Sequence, residues 1–251
     1  DEVIITSGGT QVMDLAARVL CSEGDTVICE EPSFVGSLNC FRSHGLKLVG
    51  VPIDDDGMNI DALREAVKAN PDAKFIYTIP NFQNPGGTTL SLEKRRAMYE
   101  LARGNDLVIV EDNPYGKLRV AGEDVPAIKS MDTDGRVIYA GSFSKILAPG
   151  IRVAYAVVPE RIVPAFTIAK QVSDVHTGVL NQMIVSRWFD EYDVDGHIEN
   201  IREIYRHKLN LMCDCLDQYC DGFITYVRPE GGLFIWAKLP DNVDMMQYVK
   251  R

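Results

Sequence analysis

The segment Gly141-Ser142-Phe143-Ser144-Lys145-Ile146-Leu147-Ala148-Pro149-Gly150-Ile151-Arg152 sets a lysine among small and apolar residues, directly after a strand-like run. Lysine is seldom buried without a function. Desolvation disfavours its charged form, and the neutral amine is a nucleophile toward carbonyl carbon. Ser144 and Ser142 precede it and Arg152 follows it, a donor set suited to a phosphate. The same segment also reads as a surface loop with an incidental lysine.

Three other motifs carry chemistry. In Glu111-Asp112-Asn113-Pro114-Tyr115, two acids close an apolar run, and an aspartate there can pair with a cation such as a protonated pyridine nitrogen. Tyr115 can donate to a ring oxygen. A metal-binding acid pair or a plain turn fits the motif equally well. In Pro80-Asn81-Phe82-Gln83-Asn84-Pro85-Gly86-Gly87, the Pro and Gly content demands a turn, Asn84-Pro85 is a candidate cis bond, and the Asn84 amide can bond a phenolate oxygen. A simple tight loop is the alternative. Thr6-Ser7-Gly8-Gly9-Thr10-Gln11 lies between a strand and a helix, where bare N–H groups favour an anion. It matches neither the dinucleotide fingerprint nor the P-loop.

Each motif is ambiguous alone. Together they ask for one ligand with an anion, an aromatic cation, a ring hydroxyl and a carbonyl open to an amine. Pyridoxal 5'-phosphate has all four. A nicotinamide dinucleotide offers no aldehyde to Lys145, and a nucleoside triphosphate needs a P-loop.

The elements around the motifs follow from hydrophobic period. Candidate strands are Val3–Thr6, Thr26–Glu30, Lys47–Val51, Lys74–Thr78, Leu107–Glu111, Val137–Gly141 and Val153–Val158. Candidate helices are Gln11–Leu20, Phe34–His44, Ile60–Ala69 and Ser91–Asn105, the last with Ser91 as N-cap. This alternation predicts an α/β fold, a mainly parallel seven-stranded sheet flanked by helices. Ligand sites in such sheets gather at the carboxyl ends of the strands, which is where all four motifs fall. From Pro159 the pattern changes to two long helical stretches, Arg161–Gln182 and Ile184–Leu216. Two strand-like runs follow, Gly222–Arg228 and Gly232–Leu239, which read as the start of a small α+β subdomain.

Composition excludes several classes. The 251 residues are 46% hydrophobic, enough for a sizeable core, and carry a net charge of −10. That sign disfavours nucleic acid and anionic membrane surfaces as partners. No apolar run approaches the roughly 20 residues of a membrane span. The six cysteines lack the density of a disulfide scaffold and the spacing of a zinc site, so we expect no metal, free thiols and a reducing, cytoplasmic setting. Both ends read as cut. No Met precedes Asp1, and Asp244–Arg251 reads as the opening of a helix, as in a fragment of a longer protein.

At this point the sequence resembles the class I/II aminotransferases of fold type I. The resemblance runs from Ile4 to about Pro240 and rests on Gln83-Asn84-Pro85-Gly86, Glu111-Asp112-Asn113-Pro114-Tyr115 and Ser142-Phe143-Ser144-Lys145, in this order and spacing. It implies that Lys145 forms the Schiff base and shuttles the proton. Asp112 pairs with the pyridinium nitrogen, and Asn84 and Tyr115 bond the ring hydroxyl. Ser142, Ser144 and Arg152 bind the phosphate with Gly9 and Thr10, and Phe34 stacks on the ring. It further implies a large cofactor-binding domain over residues 1–205 and a partial small domain over 206–251. The N-terminal arm and the substrate-carboxylate arginine are expected outside the chain. The expected partners are an amino acid, a 2-oxo acid and a second copy of the chain in a homodimer. Gln171-Val172-Ser173-Asp174-Val175-His176-Thr177, with Leu180-Asn181-Gln182, is similar to the aminoadipate, kynurenine and aromatic branch, though the same residues also read as helix caps. Two rivals share the fold: a carbon–sulfur lyase and the aminotransferase-like effector domain of a transcription regulator.

Overall fold

The computed structural model describes residues 2–245. Its elements are β1 (Glu2–Thr6), α1 (Gly9–Leu20), β2 (Thr26–Glu31), α2 (Val35–Ser43), β3 (Lys47–Asp54), β4 (Gly57–Met58), α3 (Ile60–Ala69), β5 (Phe75–Thr78), α4 (Leu92–Gly104), β6 (Val108–Asn113), β7 (Val137–Ser142), β8 (Ala154–Val158), α5 (Val163–Asp174), α6 (Val179–Glu191), α7 (Val194–Tyr219), β9 (Thr225–Tyr226) and β10 (Ala237–Lys238).

The main sheet runs β1-β8-β7-β6-β5-β2-β3-β4. Its centre, from β7 through β6, β5 and β2 to β3, is parallel. β8 is antiparallel to both β7 and β1, so β1 points the same way as the central strands. The carboxyl ends of β1, β2, β5, β6 and β7 therefore open on one edge.

Side-chain alternation divides the core in two. Val27, Phe75, Tyr77, Val108 and Val110 face one side, under Leu15 and Ala16 of α1 and Phe41 of α2. Ile28, Ile76 and Ile109 face the other, under Leu63 of α3 and Met98 of α4. Both faces are covered, which is why the strands read as continuous apolar runs rather than as alternating ones. Each fully buried aliphatic side chain here contributes roughly 1.5–3 kcal/mol. Local signals set the helix starts. Asn59 Oδ1 accepts from the Ala62 N–H at 2.8 Å, and Ser91 caps α4 through the Lys94 N–H at 3.4 Å.

The structure departs from the sequence reading in four places. The sheet has eight strands rather than seven, because β3 continues to Asp54 and folds back through Gly57 (φ 104) into β4. A two-residue strand after three aspartates has no alternation to read. The stretch Arg161–Gln182 is broken after Asp174, where Val175 takes φ 61. Ile184–Leu216 is broken at Asp193, whose side chain caps α7 through the Gly196 N–H at 2.9 Å. The strand-like runs after Gly222 pair only at Thr225–Tyr226 with Ala237–Lys238. α7 runs unbroken through residues 205 and 206. Residues 246–251 of the expected terminal helix lie outside the described residues.

Candidate active site

A cavity of about 260 Å³ opens at the carboxyl edge of the sheet. Gly9, Thr10, Phe34, Asn84, Asp112, Tyr115, Ser142, Ser144, Lys145 and Arg152 all line it, so the structure brings every sequence-predicted site residue to one place. They come from the ends of five strands that are far apart in sequence.

At the floor lies Asp112, buried near the end of β6. Its Oδ2 accepts the Tyr77 phenol at 2.9 Å, and that phenol oxygen lies 2.9 Å from Ser37 Oγ. Burial pushes the Asp112 carboxyl up to about 6, against the opposing pull of the Tyr77 hydrogen bond. Strand alternation separates the two acids of the motif. Glu111 turns to the opposite face and accepts the N–H groups of Ile128 and Lys129 at 2.9 and 2.8 Å. The pair cannot chelate one ion, so the metal reading of this motif fails on geometry.

On one wall Asn84 Nδ2 donates to the Tyr115 hydroxyl at 3.1 Å. The Asn84–Pro85 bond is cis, as is Glu31–Pro32. Lys145 Nζ stands 6.0 Å from the centre of the Tyr115 ring. The sequence reading expected a buried lysine; Lys145 is half-buried and lines the cavity.

At the other end lies an anion cradle. Gly8 (φ 93) precedes α1, whose first turn has no side-chain cap and no acid. The Ser142 hydroxyl accepts the Ser144 N–H at 3.1 Å, and Arg152 Nη1 reaches Ser144 Oγ at 3.4 Å. Arg152 itself sits in the left-handed region, at φ 50. Gly8 is needed for its φ, and a Cβ there, 1.9 Å from Arg152 Nη2, would also push the guanidinium aside. Phe34, at the start of α2, lies over Gly36, where a Cβ would stand 2.5 Å from its ring.

Sequence reasoning missed the layer behind these groups. Glu30 is buried and accepts from Thr78 Oγ1 at 2.6 Å, from the Ile79 N–H at 3.2 Å and from Gln83 Nε2 at 3.0 Å. Burial pushes its carboxyl up to about 7, with Asp112 nearby adding to the rise. Gln83 also donates to Pro32 O at 2.9 Å and accepts the Gly86 N–H at 2.6 Å, tying the Phe34 loop to the Asn84 loop. Arg95 is fully buried, and its guanidinium donates to the carbonyls of Leu90, Pro80, Val125 and Pro126 and to Asn81 Oδ1. A tyrosine and a glutamate inside apolar strands were the available signals, since buried polar groups require partners.

The donor set fits pyridoxal phosphate: an anion cradle at one end, a buried carboxylate at the other, an amide and a phenol between them, and an amine above. Comparison with known proteins agrees. An aromatic-amino-acid aminotransferase 1 of Thermococcus litoralis is 40% identical over 247 residues, covering 97% of this chain and 59% of that protein. The solved kynurenine aminotransferase of Pyrococcus horikoshii, in complex with PMP, is similar with a TM-score of 0.96 at 38% identity, covering 99% of this chain and 63% of that one. An α-aminoadipate aminotransferase of Thermus thermophilus, solved with N-(5'-phosphopyridoxyl)-L-leucine, gives a TM-score of 0.91 at 36% identity, over 98% of this chain and 63% of that one. The chain thus spans about three-fifths of the length of these relatives. The family described as aminotransferase class I and II matches residues 1–250, and the chain belongs to that family.

Proposed function

We propose that this chain carries the cofactor site of an aminotransferase that moves an amino group between an amino acid and a 2-oxo acid. The observation that carries this reading is the one cavity shared by Lys145, Asp112 and Arg152. Pyridoxal phosphate, when bound, supplies an aldehyde carbon and a ring that accepts the electron pair left by the departing α-proton. Lys145 supplies the amine for that carbon and, once released, acts as general base at the α-proton. Asp112 keeps a proton on the ring nitrogen through an ion pair in a buried setting. Asn84 and Tyr115 bind the ring hydroxyl oxygen, and Phe34 covers a ring face. Ser142, Ser144, Arg152 and the start of α1 at Gly9 and Thr10 hold the phosphate.

We assign residues 1–205 to the cofactor domain and 206–251 to the start of a smaller one, with α7 running between them. A homodimer is supported by the apolar surface along α5 and α6, where Val172, Val175, Leu180 and Met183 are exposed. All six cysteines are free, in keeping with a reducing compartment such as the cytoplasm. No helix among the described residues is long and apolar enough to cross a membrane. The lyase and regulator readings use the same cofactor residues, and no observation favours either.

The test is a titration with pyridoxal phosphate. The chain is expected to develop a visible absorption band that Lys145→Ala abolishes. In a chain of the relatives' full length, addition of amino acid is expected to bleach the band with release of the matching 2-oxo acid. Release of ammonia instead would favour a lyase, and no band in the unaltered chain would overturn the reading.

A further inference from the structure

The loop Ser7–Gly9 is held from behind by α5. Asp174, the last residue of that helix, accepts the Ser7 hydroxyl at 2.8 Å and Gln11 Nε2 at 2.9 Å, both on Oδ2. Gln11 Oε1 in turn accepts the Ser7 backbone N–H at 2.7 Å, closing a ring of three residues. Asp174 Oδ1 takes the ammonium of Lys170, which is buried. Thr177, also buried, places Oγ1 3.1 Å from Ser7 Oγ. The contacts that Ser7 and Gln11 make with Asp174 span more than 160 positions of sequence, and none of the three residues lines the cavity.

We propose that Asp174 is a positioning residue for the anion cradle, fixing the Ser7–Gln11 turn so that the start of α1 and Arg152 meet the cofactor phosphate together. The mechanical link is short. Ser7 is bonded to Gly8, and Gly8 leaves no room for even one carbon between its backbone and Arg152 Nη2. A shift of Ser7 therefore moves the start of α1 at Gly9 and Thr10 and changes the packing of Gly8 on the Arg152 guanidinium. The charge arrangement agrees with this role. A lone carboxylate behind an anion site would repel the phosphate, and the buried Lys170 cancels that charge. Burial works against the ionised Asp174, but the hydrogen bonds from Lys170, Gln11 and Ser7 outweigh it and hold the carboxyl below its ordinary value. The segment around Asp174 is the one the sequence reading left between a family signature and a helix cap. Its side chain does not cap α5; it reaches across to the loop before α1.

This inference rests on the pyridoxal phosphate reading, and its test separates the two. The unaltered chain, Asp174→Asn and Ser7→Ala are titrated with pyridoxal phosphate and, in parallel, with pyridoxal, which has the same ring and aldehyde but no phosphate. Thermal unfolding checks that each variant is folded. Asp174→Asn is expected to weaken pyridoxal phosphate roughly tenfold or more while pyridoxal affinity changes less than about twofold, the displaced cradle costing the equivalent of one charge-assisted hydrogen bond to the phosphate. Ser7→Ala removes one hydroxyl at the same junction and is expected to shift the ratio in the same direction, and it decides the matter if Asp174→Asn does not fold. Equal losses for both ligands mark a purely structural tether and overturn the inference, as does an unchanged ratio. If the unaltered chain binds neither ligand, the cofactor reading itself falls.

Discussion

The phenol of Tyr77 donates to Asp112 Oδ2 at 2.9 Å inside the sheet, with no water-accessible surface on the tyrosine. Asp112 lines the cavity, and that bond fixes the orientation of its carboxylate. Tyr77→Phe is expected to keep the packing, since only one atom is lost, and to leave Asp112 harder to ionise. Pyridoxal phosphate affinity should drop roughly tenfold, in line with about 1.5 kcal/mol for a hydrogen bond to a charged group. Absorbance titration at pH 7 checks this; an unchanged affinity would remove Tyr77 from the site.

Asp112 and Glu30 give the chain an uncommon dependence on pH. Burial raises Asp112 from 3.8 to about 6 and Glu30 from 4.5 to about 7. Between those limits the folded chain holds protons that the unfolded chain has released. Stability is therefore greatest at the acid end of this window and falls as pH rises through it, by at most about 3 kcal/mol per carboxyl. Asp54, Asp132 and Asp174 are shifted the other way, so their contribution is lost only at pH values below the ordinary aspartate range. Tm measured without cofactor should fall from pH 5 to pH 8, and Asp112→Asn should flatten part of that slope.

Arg95 is expected to be the costliest polar residue to truncate. Five acceptors converge on its guanidinium, and burial lowers its pKa to about 10 without neutralising it at physiological pH. Arg95→Met takes a donor from each of those oxygens beneath the loop that carries Asn84, and of the five Pro80 O keeps the Leu90 N–H at 2.8 Å. A loss of about 3 kcal/mol or more is expected from chemical denaturation, since each buried acceptor left without a donor costs about 1–3 kcal/mol. A loss under about 1 kcal/mol would show that the loop is held elsewhere.

Two neighbouring glycines give a paired test of the cradle. A Cβ at Gly8 collides with Arg152 and forces a side chain to φ 93, whereas a Cβ at Gly9 meets nothing within 4 Å. Gly8→Ala should cost about 1–3 kcal/mol of stability, and Gly9→Ala much less. Differential scanning fluorimetry reads both. Equal losses would contradict the described packing of Gly8 on Arg152.

Much of the fold and the cavity lining was legible in the sequence. Lys145, Asp112, Asn84, Phe34 and Gly9 each follow or close a strand, and a parallel sheet must gather such ends on one edge. The supporting layer was not legible, because its partners are chosen by tertiary packing. Tyr77 finds Asp112 35 positions away, Gln83 finds Glu30 at 53, and Ser7 finds Asp174 at 167. No local pattern encodes such pairs. The break after Asp174 was hidden for a related reason. The periodicity of Arg161–Gln182 favours one helix, and the side-chain contacts of Asp174 and Thr177 with the loop at Ser7 and the carbonyl of Ile5 accompany its end. Glu111 and Asp112 looked like one feature, yet alternation puts them on opposite faces of the sheet.

The central claim is that one amine, on Lys145, meets the cofactor aldehyde in this cavity. The direct measurement is reductive trapping: the chain is mixed with pyridoxal phosphate, reduced with borohydride, digested and mapped by mass spectrometry. A single phosphopyridoxyl group on the peptide containing Lys145, at near one equivalent per chain, is the expected result. Label spread over surface lysines with none on Lys145 would contradict it.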